Sequence, residues 1–386
     1  MKSSSLLKKI ESIHTNIQNN YSQSPDIGVL TGISGYSLFL EYYKSSINQS
    51  ENHFIDTEKL FNICIEKINA GYEMPTYCDG INGFMWTLLF LQNNNFLENS
   101  ENGILDILDK YIGEWVEVTI QKNNFDFLHG SAGYLSYFIN RIKHVEGNQK
   151  KDIEALIKLF IKGLSSRIKE ITDYRLLKTD QDFKNRTYLG LAHGISGIIL
   201  ILSKLSLIHP FKNESLALLK NYTSFLTDTQ NISQNKVSYF PSWLTQSTNI
   251  HNTQSALSWC AGDLGIGIAL LNTAQNIHDI SIKNQAIEIL EHSAKRITKE
   301  QSFLESPGMC HGFFGAYKIF SRAYSLTGEK IFSTAKEYWL KKGLESINNN
   351  IPSDLSILNG QAGIGLALID AYTDIDHNWG ECLLIS

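Results

Sequence analysis

The chain has 386 residues, 42% of them hydrophobic, and a net charge of −5. It has no lysine or arginine block, which argues against nucleic acid or an anionic membrane as its main partner, and no run of about 18 apolar residues that would span a bilayer. Lysines at 8 and 9 sit where a secretory signal needs its apolar centre, and the five cysteines lack a disulfide-framework spacing, so the expected location is the reducing cytoplasm.

In chain order, amphipathic segments alternate with segments apolar nearly all round. LLKKIESIHTNI from Leu6 precedes YSLFLEYY from Tyr36. KLFNICIEKI from Lys59 precedes FMWTLLFLQ from Phe84, and DILDKYIGEWVEV from Asp106 precedes YLSYFINRI from Tyr134. DIEALIKLFIKGL from Asp152 precedes IILILSKLSLI from Ile198, and LALLKNYTSFL from Leu216 precedes IGIALLNTA from Ile266. AIEILEHSAKRI from Ala286 precedes AYKIFSRAYSL from Ala316, and AKEYWLKKGLESI from Ala335 precedes IGLALIDAYT from Ile364. The first of each pair reads as a helix with one buried face, the second as a helix buried on all sides.

Every apolar segment opens on Gly-x-x-Gly: Gly32/Gly35, Gly80/Gly83, Gly130/Gly133, Gly194/Gly197, Gly262/Gly265, Gly312/Gly315 and Gly360/Gly363. The first glycines are 48, 50, 64, 68, 50 and 48 residues apart, a repeat running from about residue 5 to 385 and read as one domain over 1–386. Glycine at a helix start permits positive φ and close backbone approach. Pro25, Pro75, Pro307 and Pro352 fall in loops before these motifs, where they break no helix. Buried helices need a covering layer. An all-α toroid, seven inner helices ringed by seven outer ones, meets that need; an open solenoid is the alternative, though neither end shows a polar capping repeat. The long intervals hold insertions around 173–188 and 230–253. Tyr239, Phe240, Trp243 and Leu244 make the second apolar enough to touch a partner, or to pack on its own scaffold.

The residues just before the first glycines are Thr31, Asp79, His129, His193, Ala261, His311 and Asn359, with Cys260 and Cys310 one step earlier. In a ring these positions share one mouth. Cys260, Cys310 and His311 there form a candidate zinc site, since thiolate and imidazole suit zinc and three ligands leave a fourth position open. Two structural cysteines or a ring-closing disulfide are the other readings. A metal so placed would activate a thiol for alkylation or addition, with a nearby histidine moving the proton. Cys64 reads as core, while Cys78 lies near the mouth but off the pattern, and Cys382 lacks such company. A carbohydrate-cleaving toroid would need paired carboxylates; Asp79, Asp126 and Asp263 are available for it, but it leaves the Cys-His pair unexplained.

LAHGISG (191–197), SWCAGDLGIG (258–267) and GMCHGFFG (308–315) resemble the lanthionine synthetase C (LanC-like) cyclases, and the glycine motifs extend the likeness along the chain. The resemblance implies an α/α toroid and a zinc enzyme that closes thioether rings in a ribosomally made peptide. In it, cysteine thiols add to dehydroalanine or dehydrobutyrine. Cys260, Cys310 and His311 fall on the family's zinc ligands, and His193 on the histidine that protonates the enolate. Asp126 falls on an aspartate of its Tyr-Asp-x-x-x-Gly pattern, with Phe125 in place of the tyrosine. The implied partners are a dehydrated precursor peptide and a separate dehydratase and transporter, this chain having no room for a fused dehydratase. Two positions depart from the family: Ala256 where many members have arginine, and Ala261 where many have tyrosine. Arg186 and His129 are candidate replacements. Glutathione or modified proteins as substrates, and a non-catalytic peptide-binding scaffold, remain the alternative functions.

Overall fold

The computed structural model describes residues 2–47, 57–98, 102–173, 186–231, 236–244, 254–348 and 351–386. Among them the apolar segments form an inner layer: α2 (Ile33–Ser46), α4 (Ile81–Asn93), α6 (Ser131–Arg141), α8 (Ile195–Leu205), α10 (Asp263–Ile277), α13 (Phe313–Thr327) and α15 (Gln361–Thr373). The amphipathic segments form the outer layer: α1 (Lys2–Asn20), α3 (Thr57–Asn69), α5 (Asn102–Gln121), α7 (Gly147–Asp173), α9 (Lys212–Thr227), α11 (Ile280–Ala294) and α14 (Lys330–Ser346). A single turn, α12 (Lys299–Ser302), precedes the sixth motif. The reason for two layers is visible in α5, where Leu105, Leu108, Ile112 and Val116 are buried at spacings of three and four while Glu114 and Glu117 face outward. In α8, by contrast, only Lys204 among the eleven residues escapes full burial.

Backbone hydrogen bonds between successive mouth loops close the ring. Leu30 N donates to Cys78 O (2.9 Å), Cys78 N to Leu128 O (3.1 Å), Phe127 N to Ala192 O (3.1 Å) and Ala192 N to Cys260 O (3.1 Å). The circuit continues from Trp259 N to Cys310 O (3.1 Å) and Met309 N to Leu358 O (2.7 Å), and returns through Ile357 N to Leu30 O (3.0 Å). Helix packing closes it too, since α15 lies against both α2 and α1. A solenoid has free ends, so these bonds decide for the toroid.

The glycines serve a different purpose from half of what was expected. None of the motif glycines has positive φ. A Cβ on any second glycine would instead meet the carbonyl oxygen six residues earlier, from 1.9 Å at Gly265 against Trp259 to 2.3 Å at Gly35 against Val29. The loop curls back over the helix start, and its carbonyls take the orphan amides: Phe313 N donates to Ser306 O (2.9 Å) and Gln361 N to Asp354 O (2.9 Å). Glycine, the N-cap of all seven helices, has no side chain with which to cap, so the loop carbonyls serve instead.

Two features lie outside the helical repeat. The insertions pair as a two-stranded antiparallel ribbon, β1 (Thr187–Tyr188) with β2 (Trp243–Leu244). Much of the insertions, residues 174–185, 232–235 and 245–253, lies outside the described residues. The helical repeat ends at Thr373, not near 385, and the segment after it turns inward. Trp379, Cys382, Leu383 and Ile385 are fully buried and Leu384 nearly so. No helix among the described residues is long and apolar enough to cross a membrane.

Candidate metal centre

The mouth loops of the fifth and sixth repeats deliver the sulfurs. Trp259 N and Cys260 N both donate to Cys310 O, at 3.1 and 3.4 Å, so the two loops are tied where the cysteines emerge. Met309 N and Cys310 N are tied in turn to Leu358 O, at 2.7 and 3.0 Å. Ligand atoms of Cys260, Cys310 and His311 consequently lie within 4.8 Å of one another, the sulfurs half-buried and the imidazole exposed. Both cysteines are free thiols, against the ring-closing bridge as a reading.

The electrostatics of this trio suit a cation. The hydrogen bond from Cys310, then that from His311, pulls the Cys260 thiol well below its ordinary range against the effect of burial. The same bond, with burial, pushes Cys310 up. His311 is raised by its bond to Cys260. The negative charge therefore settles on Cys260, between the Cys310 thiol and the His311 imidazole, and a second thiolate beside it is disfavoured by burial and by the like charge. A divalent soft cation would offset that like charge, and two thiolates with one imidazole are a zinc-type donor set. Ser258 Oγ, 3.9 Å from Cys260 Sγ, is a further contact that the motif alone did not mark.

His193, one repeat before Cys260, places Nδ1 2.6 Å from Asp126 Oδ2. Asp126 spends its other oxygen on its own loop, accepting from Leu128 N (2.7 Å) and His129 N (2.8 Å). It is therefore both a turn residue and the partner of His193. That hydrogen bond first, with the charges of Asp126 and Cys260, holds the His193 pKa above its ordinary value despite burial. With Nδ1 held by the carboxylate, Nε2 is the ring nitrogen that Asp126 does not engage.

The remaining candidates separate from this centre. His129 is about half exposed and lies 3.9 Å from Asp79. Arg186 lies over the Trp243 ring, 4.4 Å from its centroid, and Trp243 in turn packs on Tyr188 beside His193. Ala256 and Ala261 leave their positions without a polar side chain. Cys64 and Cys78 are buried, and burial pushes both thiols up to about 12. Tyr239 and Phe240 pack on the scaffold, their amides donating to the fully buried Asp263 at 2.8 and 3.1 Å, and Arg296 binds the same carboxylate at 3.0 Å. Trp243 and Leu244 stay half-exposed on the ribbon. Asp79 accepts from Thr76, Asp126 is bound to His193 and Asp263 to Arg296, so a pair of catalytic carboxylates is not found among them.

A family model described as lanthionine synthetase C-like protein matches residues 95–384. The nisin biosynthesis protein NisC of Lactococcus lactis subsp. lactis is 22% identical over 387 residues, covering 93% of this chain and 89% of its own. A solved structure of nisin cyclase superposes with a TM-score of 0.75 at 20% identity, over 98% of this chain and 97% of that one. Its toroid carries the same architecture across nearly the full length of both chains. With the glycine-opened ring and the Cys260, Cys310 and His311 cluster at its mouth, the match over three quarters of the sequence makes this chain a member of the lanthionine synthetase C-like family.

Proposed function

We propose that this protein is a zinc-dependent lanthipeptide cyclase acting on a dehydrated precursor peptide. The observation that carries the reading is the Cys260, Cys310 and His311 cluster, open to solvent on its imidazole side, with the His193–Asp126 pair one repeat away at the same mouth. NisC and nisin cyclase, whose names state a role in nisin biosynthesis and a cyclase activity, support the choice of substrate class. Cys260, Cys310 and His311 would hold the ion, which when bound keeps an incoming peptide thiol ionised at neutral pH.

The protein's own residues account for the rest. The peptide sulfur bonds to the β-carbon of a dehydroalanine or dehydrobutyrine, and the alkene pair moves to the α-carbon as an enolate. His193, as imidazolium held by Asp126, delivers the proton that completes the addition at that carbon. Nothing leaves, so one S–C and one C–H bond replace one S–H bond and one π bond. Asp126 positions the ring and favours its charged form. Tyr188, edge-on to His193 with ring centroids 6.4 Å apart, walls one side of this proton donor.

A three-protein comparison tests the reading. Wild type is expected to carry one zinc per chain by elemental analysis and to consume peptide thiols in a dehydrated precursor. Cys310→Ala is expected to lose both. His193→Ala is expected to keep the zinc and lose about 10²- to 10⁴-fold in cyclisation rate, the usual worth of a general acid. Zinc with peptide binding but no thiol loss in wild type would replace the cyclase with a binding scaffold.

A further inference from the structure

Seven residues occupy equivalent places in the mouth loops, six before each second glycine: Val29, Tyr77, Phe127, Leu191, Trp259, Met309 and Ile357. All are buried, and only Tyr77 and Trp259 carry a hydrogen-bond donor at the tip. Both donate to the segment after α15. Tyr77 OH reaches Cys382 O at 3.0 Å, and Trp259 Nε1 reaches Leu383 O at 2.8 Å. Consecutive carbonyls are thus held from the second and fifth repeats, so the segment crosses the axis of the ring directly beneath the mouth. Asn272 Nδ2 in α10 adds a bond to Ile385 O at 2.9 Å.

The near end of the segment is fastened by a buried charge cluster. Lys318 Nζ, fully buried in α13, contacts Asp370 Oδ2 (2.6 Å), Asp376 Oδ1 (2.8 Å) and His377 O (2.8 Å). Asp370 Oδ1 accepts from Trp379 Nε1 at 3.0 Å. Trp259 is consequently held on three sides. Its amide is on Cys310 O, its carbonyl lies where Gly265 has no Cβ, and its indole is on Leu383 O. The next residue is Cys260.

We infer that the segment 378–386 is a positioning element for the metal site, acting through the indole of Trp259 on Cys260. The inference rests on the reading that Cys260, Cys310 and His311 bind zinc. Core packing alone would explain the burial. It does not explain why the donor-bearing side chain of the fifth repeat sits immediately before a ligand and is spent on this one carbonyl. Partners that orient a ligand typically change metal affinity about 10- to 100-fold when removed.

Tyr77 supplies the control, because it makes the equivalent buried bond to the same segment from a repeat without a ligand. Trp259→Phe and Tyr77→Phe each delete one donor and keep a ring. Both are expected to lower the melting temperature, but Trp259→Phe is expected to weaken zinc binding in chelator competition by about tenfold or more, and Tyr77→Phe by clearly less because it reaches Cys260 only through the segment. Trp259→Phe is also expected to shift the sulfur-to-cobalt absorption of the Co(II)-loaded protein. Asn272→Leu, which loosens the segment from the same repeat without touching the loop, is expected to shift affinity in the same direction and serves if Trp259→Phe does not fold. Equal zinc affinity and identical cobalt spectra across the variants would overturn the inference. Wild type that takes up no zinc or cobalt would instead overturn the metal reading beneath it.

Discussion

Asp126 does two jobs with two oxygens, and the jobs can be separated. Oδ1 closes the loop of the third repeat, and Oδ2 faces His193. Asp126→Asn keeps an acceptor for the loop amides and removes the charge that favours the imidazolium. His193 has its pKa raised above 6.5 in the fold, first by the hydrogen bond to Asp126. A histidine raised on folding contributes stability that is fully present below its unfolded pKa, and that stability is lost as pH rises through the folded pKa. Wild type is therefore expected to exceed Asp126→Asn in stability below about pH 6.5, by under about 1 kcal/mol because the imidazole is partly exposed, with the margin shrinking above that pH. Denaturant melts of chelator-treated protein across pH check the margin, and the imidazole proton shifts check that the His193 midpoint falls in the variant. A margin that grows with pH would contradict the assignment.

The helical elements were legible in the sequence because each announces itself twice, by its glycines and by its period. α5 shows the period in Leu105, Leu108, Ile112 and Val116, and α8 by having no polar face at all. The Cys-His pairing was legible because a ring brings equivalent repeat positions together. The ribbon was not, since strands of two residues have no periodicity to read. Nor was the segment after α15, a short apolar run that fits strand, turn or helix equally. The motif glycines were recognised, but only the backbone distances assign their role to close approach in place of positive φ. That role makes a sharp contrast. Gly265→Ala would set a Cβ 1.9 Å from Trp259 O and is expected to cost about 3 kcal/mol or more, or to prevent folding. Gly103→Ala, in the first turn of α5 with nothing within 4 Å, is expected to be neutral or to stabilise by up to about 1 kcal/mol. Melting temperatures of the two variants test it, and equal losses would place the role of these glycines elsewhere.

A closed ring distributes its stability differently from a row of repeats. In a solenoid each repeat leans on its neighbours alone, so unfolding can begin at either end and spread. Here the first mouth loop accepts from the last, Ile357 N donating to Leu30 O at 3.0 Å and Leu358 N to the same oxygen at 3.2 Å, while α15 also packs on α1. The segment 378–386 adds bonds from Tyr77 and Trp259 across the middle. No repeat can leave without opening the mouth loops on both of its sides and exposing the fully buried helices beneath them. The Cys260, Cys310 and His311 cluster sits on one such seam, between the fifth and sixth repeats, so the geometry of the site is a property of the whole circuit. Calorimetry is accordingly expected to show one unfolding transition with calorimetric and van't Hoff enthalpies in agreement, despite the length of the chain. Removing residues 351–386, which deletes the seventh inner helix and the axial segment together, is expected to abolish the cooperative transition in the remaining repeats. A truncated protein that still melts cooperatively, losing only the enthalpy of one repeat, would mean that the toroid is energetically a solenoid whose ends happen to meet.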